Sequence, residues 1–151
     1  MVRCSKYSEL KAIKDLQDRL SITKSKEATP SFFFGNFAEL NALSLLLNKK
    51  TLKQGLSNVN KFRNALLQKI SDPSEELRYE LACNKRLSGK TLFAICCSLN
   101  VPLVVAYTTY YMQSKSSKPK AIFVLEQGGC TAIIKPSNRQ VEMAKKSRLG
   151  I

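Results

Sequence analysis

Histidine is missing from all 151 residues. Its absence removes the commonest general base, and with it the Ser-His and Cys-His pairings that activate most nucleophiles. It also removes a common metal ligand, and the five cysteines do not make up the deficit. Cys4, Cys83, Cys96, Cys97 and Cys130 contain no C-x-x-C spacing, so neither a zinc module nor any other metal or cofactor is expected. Their odd number, with one adjacent pair inside an apolar helical pattern, reads as buried, reduced thiols. Long apolar runs are absent as well: none approaches the ~18 residues of a membrane span, and no secretory signal is recognisable. The expectation is a reducing intracellular compartment and no membrane span.

Acid is the other shortage. Asp and Glu total 11 against 25 Lys and Arg, a formal charge of +14 with a sequence pI near 9.8. Between Glu39 and Asp72 stand Lys49, Lys50, Lys53, Lys61, Arg63 and Lys69 with no acid, and the stretch from Glu80 to Glu126 is equally free of acid. Such an excess points to an anionic partner: nucleic acid, an acidic protein surface or a lipid headgroup layer. The carboxylates that cluster at Asp72, Glu75, Glu76 and Glu80 read as the solvated first turn and polar face of a short helix, not as an acid-base pair. No enzyme is expected.

With 44% hydrophobic residues the chain is long enough for one ordinary core. Residues 1–31 read as an N-terminal helix and linker, 32–135 as a single α+β domain, and 136–151 as a basic tail, either a short exposed helix or an arm that orders on contact. Tyr7, Leu10, Ile13, Leu16 or Gln17, and Leu20 give the first amphipathic stripe, over Ser5–Leu20. Phe32, Phe33, Phe34 and Phe37 precede a second helix with Asn36 as cap and Glu39 closing a capping box; the phenylalanines are a core plug or a hydrophobic anchor for a partner. Thr51 and Gln54 offer a second box before a helix whose buried stripe runs from Leu52 to Ile70. Asp72 caps the next helix, with Pro73 at its first position.

The segment Ser88-Gly89-Lys90-Thr91 resembles the end of a phosphate loop, but the glycine required five positions before Gly89 is Asn84, and no strand enters it. The same residues read better as a helix capped by Ser88, stapled by Leu87 against Leu92, and so apolar that it must be buried. Asn100 and Val101-Pro102 end it. Leu103–Met112 reads as one strand, Ala121–Leu125 as a second, and Cys130–Ile134 as a third after a Gly128-Gly129 turn. The fold class expected is α+β, four or five N-terminal helices followed by a three-stranded antiparallel meander.

Three helices and a hairpin with a basic connection are also the element order of a winged helix, although the third helix shows Phe, Ile, Cys and Leu where a recognition helix shows polar side chains. The run RLSGKTLFAICCSLNVPLVVAYTTYY, Arg86 to Tyr111, resembles a helix-plus-hairpin segment found in proteins of nucleocytoplasmic large DNA viruses. There a helix reading leucine, basic, Thr-Leu, then Ile-Cys precedes a strand ending in paired tyrosines. The resemblance implies a small basic protein of a large virus, located in the host cytoplasm or viral factory and in the virion. It implies a minor structural component or a DNA-associated factor.

The function expected is non-catalytic binding: an assembly component docking on acidic surfaces of other proteins, or alternatively a nucleic-acid-binding protein touching mainly phosphate of DNA or RNA. The anionic-partner contacts would be Lys49, Lys50, Lys53, Lys61, Arg63, Lys115, Lys118, Lys120, Lys145, Lys146 and Arg148. The hydrophobic docking residues would be Phe32, Phe33 and Phe34.

Overall fold

The computed structural model describes residues 27–107, 111–115 and 118–149. Cys4, Tyr110 and the helix expected over Ser5–Leu20 lie outside the described residues. In chain order the elements are β1 (Ser31–Phe34), α1 (Ala38–Asn48), α2 (Leu56–Lys69), α3 (Glu75–Ala82), α4 (Gly89–Ser98), β2 (Val104–Ala106), β3 (Tyr111–Gln113), β4 (Ala121–Leu125), β5 (Gly129–Ile134) and α5 (Asn138–Leu149).

The protein is α+β, but its sheet is not the expected three-stranded meander. Five strands lie in the order β1-β5-β4-β2-β3, and the β2–β4 pairing is parallel while the rest are antiparallel. Two misread segments account for the difference. Phe32–Phe34 belongs to a strand paired with β5, in keeping with the β preference of Phe. The single strand expected over Leu103–Met112 is instead two: β2 ends at Ala106, and the chain returns as β3, pairing Ala106 with Tyr111. Nothing in Tyr-Thr-Thr-Tyr carries the Gly, Pro, Asn or Asp that signals a turn.

Beyond β3 the chain crosses to the other side of β2. Pro102 and Leu103 are held between the two arms of that crossing: Ser114 N–H donates to the Leu103 carbonyl at 3.1 Å, and Lys120 N–H to the Pro102 carbonyl at 2.7 Å. β4 then runs parallel to β2, with Val104 beside Ile122. The two-residue turn after β4 is Gln127-Gly128, one position earlier than expected, because Glu126 N–H donates to the Gly129 carbonyl at 3.0 Å. Gly129 opens β5, where a Cβ would stand 2.3 Å from the Phe33 carbonyl oxygen. Only glycine lets β1 approach that closely.

The helices are not all N-terminal. α1–α4 cover one face of the sheet, burying Leu40, Leu43, Leu66, Leu81, Leu92 and Ile95 against Val105, Phe123, Cys130 and Ala132. α5 covers the other, packing Val141 and Ala144 on Val104, Ile122, Val124 and Ile133. Residues 138–149 are thus a docked helix, neither an arm nor a wholly exposed one. β2 and β4 are buried along their whole length, as continuous apolar strands are when both faces are covered.

Helix ends follow the sequence in part. Ser88 caps α4, its hydroxyl accepting from Thr91 N–H at 3.2 Å, and Leu87 and Leu92 are both buried. Asn100 ends α4 in the left-handed region at φ 58°, while Val101 N–H reaches the Cys96 carbonyl and Asn100 N–H the Cys97 carbonyl, a Schellman arrangement. Three expected caps do not form. α1 has Phe37 at its cap position, since Glu39 turns inward. α2 starts only after Gly55, since Leu52 N–H is held by the Asn41 side chain at 3.0 Å. α3 is capped by Ser74, with Asp72 in a left-handed turn at φ 52°.

Candidate anionic-partner groove

Where α1 ends beside the start of β4, the fold gathers lysines. Lys49 terminates α1 in the left-handed region at φ 61°, its N–H on the Leu45 carbonyl, and the Ser44 hydroxyl donates to the Lys50 carbonyl at 2.7 Å to pin the exit. The Lys49 cation stands at the partly negative C-terminal end of the helix, a favourable position. Across from it, Lys135 N–H donates to the Lys120 carbonyl at 2.8 Å, one step beyond the Ala121–Ile134 pair. Lys120 and Lys135 are therefore opposite one another at the end of the β4–β5 ladder.

Between these ends lies a groove of about 840 Å³. Its floor is Leu45, Leu46, Ile134, Pro119 and Pro136, and its rim is Lys49, Lys118, Lys120 and Lys135, with no acid in the lining. All four lysines are exposed. Like charges directly opposite on a sheet repel, and non-glycine residues held at positive φ are strained. Lys49 at 61° and Lys135 at 55° are two of only four such residues described. An anion lying between the lysines would offset the charge repulsion, while the backbone conformations at Lys49 and Lys135 are set by the helix end and the strand end.

Of the residues expected to meet an anionic partner, the structure brings Lys49, Lys118 and Lys120 together. Lys50, Lys53 and Lys61 are exposed but do not line the groove. Arg63 is not on an outer ridge: it is buried, donates to the Asn84 side chain and lies over the Phe37 ring at 5.6 Å. Burial in apolar surroundings lowers its pKa, with the Cys83 thiol acting weakly the other way. Lys115 borders a separate depression of about 520 Å³ with Cys97 and Asn100. Lys145 pairs with Glu142 at 3.6 Å on α5, Lys146 is exposed, and the Arg148 side chain lies outside the described residues. Phe33 packs on the core, whereas Phe32 and Phe34 are exposed.

Lys135 escaped sequence reading. Its signal was the hairpin register: once Gln127-Gly128 is the turn, counting back from it places Lys135 opposite Lys120.

Two other polar clusters are satisfied internally. The wholly buried Glu39 carboxylate is bound by the Arg86 guanidinium, which also donates to the carbonyls of Glu126 at 2.5 Å, Gln127 at 2.6 Å and Gly129 at 2.8 Å. Burial works to lower the Arg86 pKa, but the hydrogen bonds and charge of Glu39 outweigh it and the net shift is upward. Glu80 is not a solvated carboxylate: it accepts from Ser88 N–H at 2.8 Å and from the Thr91 hydroxyl at 2.5 Å. A carboxylate thus occupies the α4 N-terminus where a phosphate loop would hold phosphate. Among the described residues Cys83, Cys96, Cys97 and Cys130 are free thiols; of these, all expected to be buried, Cys83 is only half-buried and Cys97 is exposed. Among the described residues no group of His, Cys, Asp and Glu is placed to hold a metal, and no helix is long and apolar enough to cross a membrane.

No protein-family model, no curated protein and no solved structure matches the chain.

Proposed function

We propose that this is a non-catalytic binding protein that docks on acidic protein surfaces through the Lys49/Lys118/Lys120/Lys135 groove. The observation that carries the reading is the apolar floor between the lysines. A bare phosphate backbone gains nothing from Leu45, Leu46 and Ile134, whereas an acidic segment with interspersed apolar side chains uses both floor and rim. The role is that of an assembly or minor structural component. Its assignment to a large DNA virus, and to the host cytoplasm, viral factory or virion, rests on the Arg86–Tyr111 resemblance alone.

The alternative is nucleic-acid binding through the same lysines. It does not take a winged-helix form, because the β4–β5 hairpin is built into the sheet, with β4 flanked by β5 and β2, instead of projecting as a wing.

Fluorescence anisotropy separates the two. A 12-residue peptide alternating Asp or Glu with Leu should bind more tightly than an acidic peptide without Leu, and Lys120→Glu with Lys135→Glu should abolish binding. Tighter binding of duplex DNA, with log K falling by roughly 3–4 per decade of salt for four phosphate contacts, would give the function to nucleic acid. Equal affinity for the two peptides would remove the floor from the argument.

A further inference from the structure

β1 ends the sheet, and its outward side is open among the described residues. Gly35 N–H donates to the Gly128 carbonyl at 3.2 Å. Hydrogen-bonded pairs alternate along an antiparallel ladder, so Phe33 and Ser31 are the residues that exchange bonds with Cys130 and Ala132. The N–H and C=O groups of Phe32 and Phe34 consequently point away from the sheet. The same two residues are 47% and 67% exposed. One short strand thus offers free backbone groups and bare aromatic surface together.

Edge strands are ordinarily blunted by a charge, an internal proline or a bulge. Ser31–Phe34 has none of these. The opposite edge, β3, is three residues long and is soon followed by Lys115. Charge selects the occupant. In a chain of net charge +14 a second copy is repelled over most of the surface, yet the stretch between Glu27 and Glu39, Ala28 to Ala38, holds no charged residue. It is where a like-charged copy can approach.

We propose that the β1 edge is a self-association site for a second copy of this chain. The two strands join antiparallel across a two-fold axis, with Phe32 of one copy opposite Phe34 of the other, so that two five-stranded sheets become one. In this register all four outward N–H groups find carbonyls, and the four exposed rings meet on one face. Shifting the register one way sets Pro30, which has no N–H, opposite Phe34. Shifting it the other way sets Asn36, which lies beyond the strand, opposite Phe32. An isologous pairing uses up both edges and closes at the dimer.

The exposed part of the two rings is roughly 200 Å² per copy, well short of the ~800 Å² per partner of a standard interface. The dimer is weak, with a dissociation constant on the order of 100 µM. Because the copies repel electrostatically, association tightens with added salt, opposite to the capture of an anion in the groove.

Sedimentation equilibrium of the full chain from about 5 to 500 µM, at low and high salt, tests this. The expected result is a monomer–dimer equilibrium that strengthens with salt and is lost in Phe34→Lys, which unfolds at the wild-type temperature. A cross-linking experiment keeps the test independent of that variant's folding. In a Cys4→Ser, Cys97→Ser background, Phe32→Cys and Phe34→Cys chains should form a mixed disulfide much faster than either alone, since only that pair falls within disulfide reach. A chain that stays monomeric throughout, a dimer that survives Phe34→Lys, or equal homotypic and mixed cross-linking would overturn the proposal.

Discussion

Replacing Arg86 with Met removes the only described partner of the Glu39 carboxylate while keeping an apolar stem of similar reach. Glu39 has no solvent exposure, so its charge would be stranded, and breaking a buried pair in this way costs about 3–5 kcal/mol. The turn after β4 adds less. The Gly129 carbonyl still receives Glu126 N–H at 3.0 Å, and the Glu126 and Gln127 carbonyls belong to a half-buried and an exposed residue at the turn. Losing those hydrogen bonds is worth about 1 kcal/mol. A total near 4 kcal/mol, with a urea m-value of about 2 kcal/mol/M, lowers the unfolding midpoint by about 2 M. Far-UV circular dichroism in urea measures this, with tyrosine fluorescence as the second probe of two-state behaviour. The double variant Glu39→Leu/Arg86→Met strands no charge and is expected within about 1–2 kcal/mol of wild type, since an apolar pair can replace a buried ion pair at little cost. A single variant losing under 1 kcal/mol, or a double variant less stable than the single, would refute the reasoning.

Gly89→Ala places a Cβ 1.7 Å from the Tyr107 hydroxyl oxygen and 2.4 Å from its ring. It should cost about 1–3 kcal/mol by urea unfolding, and much of that loss should vanish when Tyr107→Ala is made in the same chain. Lys49→Gly relieves a side chain held at φ 61° and should stabilise by up to ~1 kcal/mol, about 2–4 °C in thermal midpoint, while weakening capture of the acidic peptide. Exposed Cys97 should react with a disulfide reagent in the native state, whereas burial pushes the Cys96 thiol up to about 12 and Cys130 well above its ordinary value, so both should react only on unfolding. The native state holds those two protons more tightly than the unfolded chain does. The Cys96 share of stability is therefore complete below pH 9.0 and is lost as pH rises toward about 12, that of Cys130 likewise falls on the alkaline side, and Cys96→Ala should flatten the decline.

Local chemistry was legible where a residue acts on its own neighbours. Ser88 caps α4 and Asn100 ends it because the bonds involved span a few residues, and the apolar circumference of α4 required burial wherever the helix packed. Charge balance and the lack of histidine are likewise fixed by composition. The tertiary structure alone decided which strands are neighbours. Nothing local to Phe32–Phe34 says that it pairs with β5, or that the chain folds back between Ala106 and Tyr111 and then passes to the far side of β2. It also sorted the cations: Arg63 lies inside, Arg86 on Glu39, and Lys49 across a groove from Lys118, Lys120 and Lys135. A lysine's sequence neighbours show that it is charged, but its work depends on the distance to other charges, and between Lys49 and Lys135 that distance is set by a sheet register and a helix end far apart in the chain.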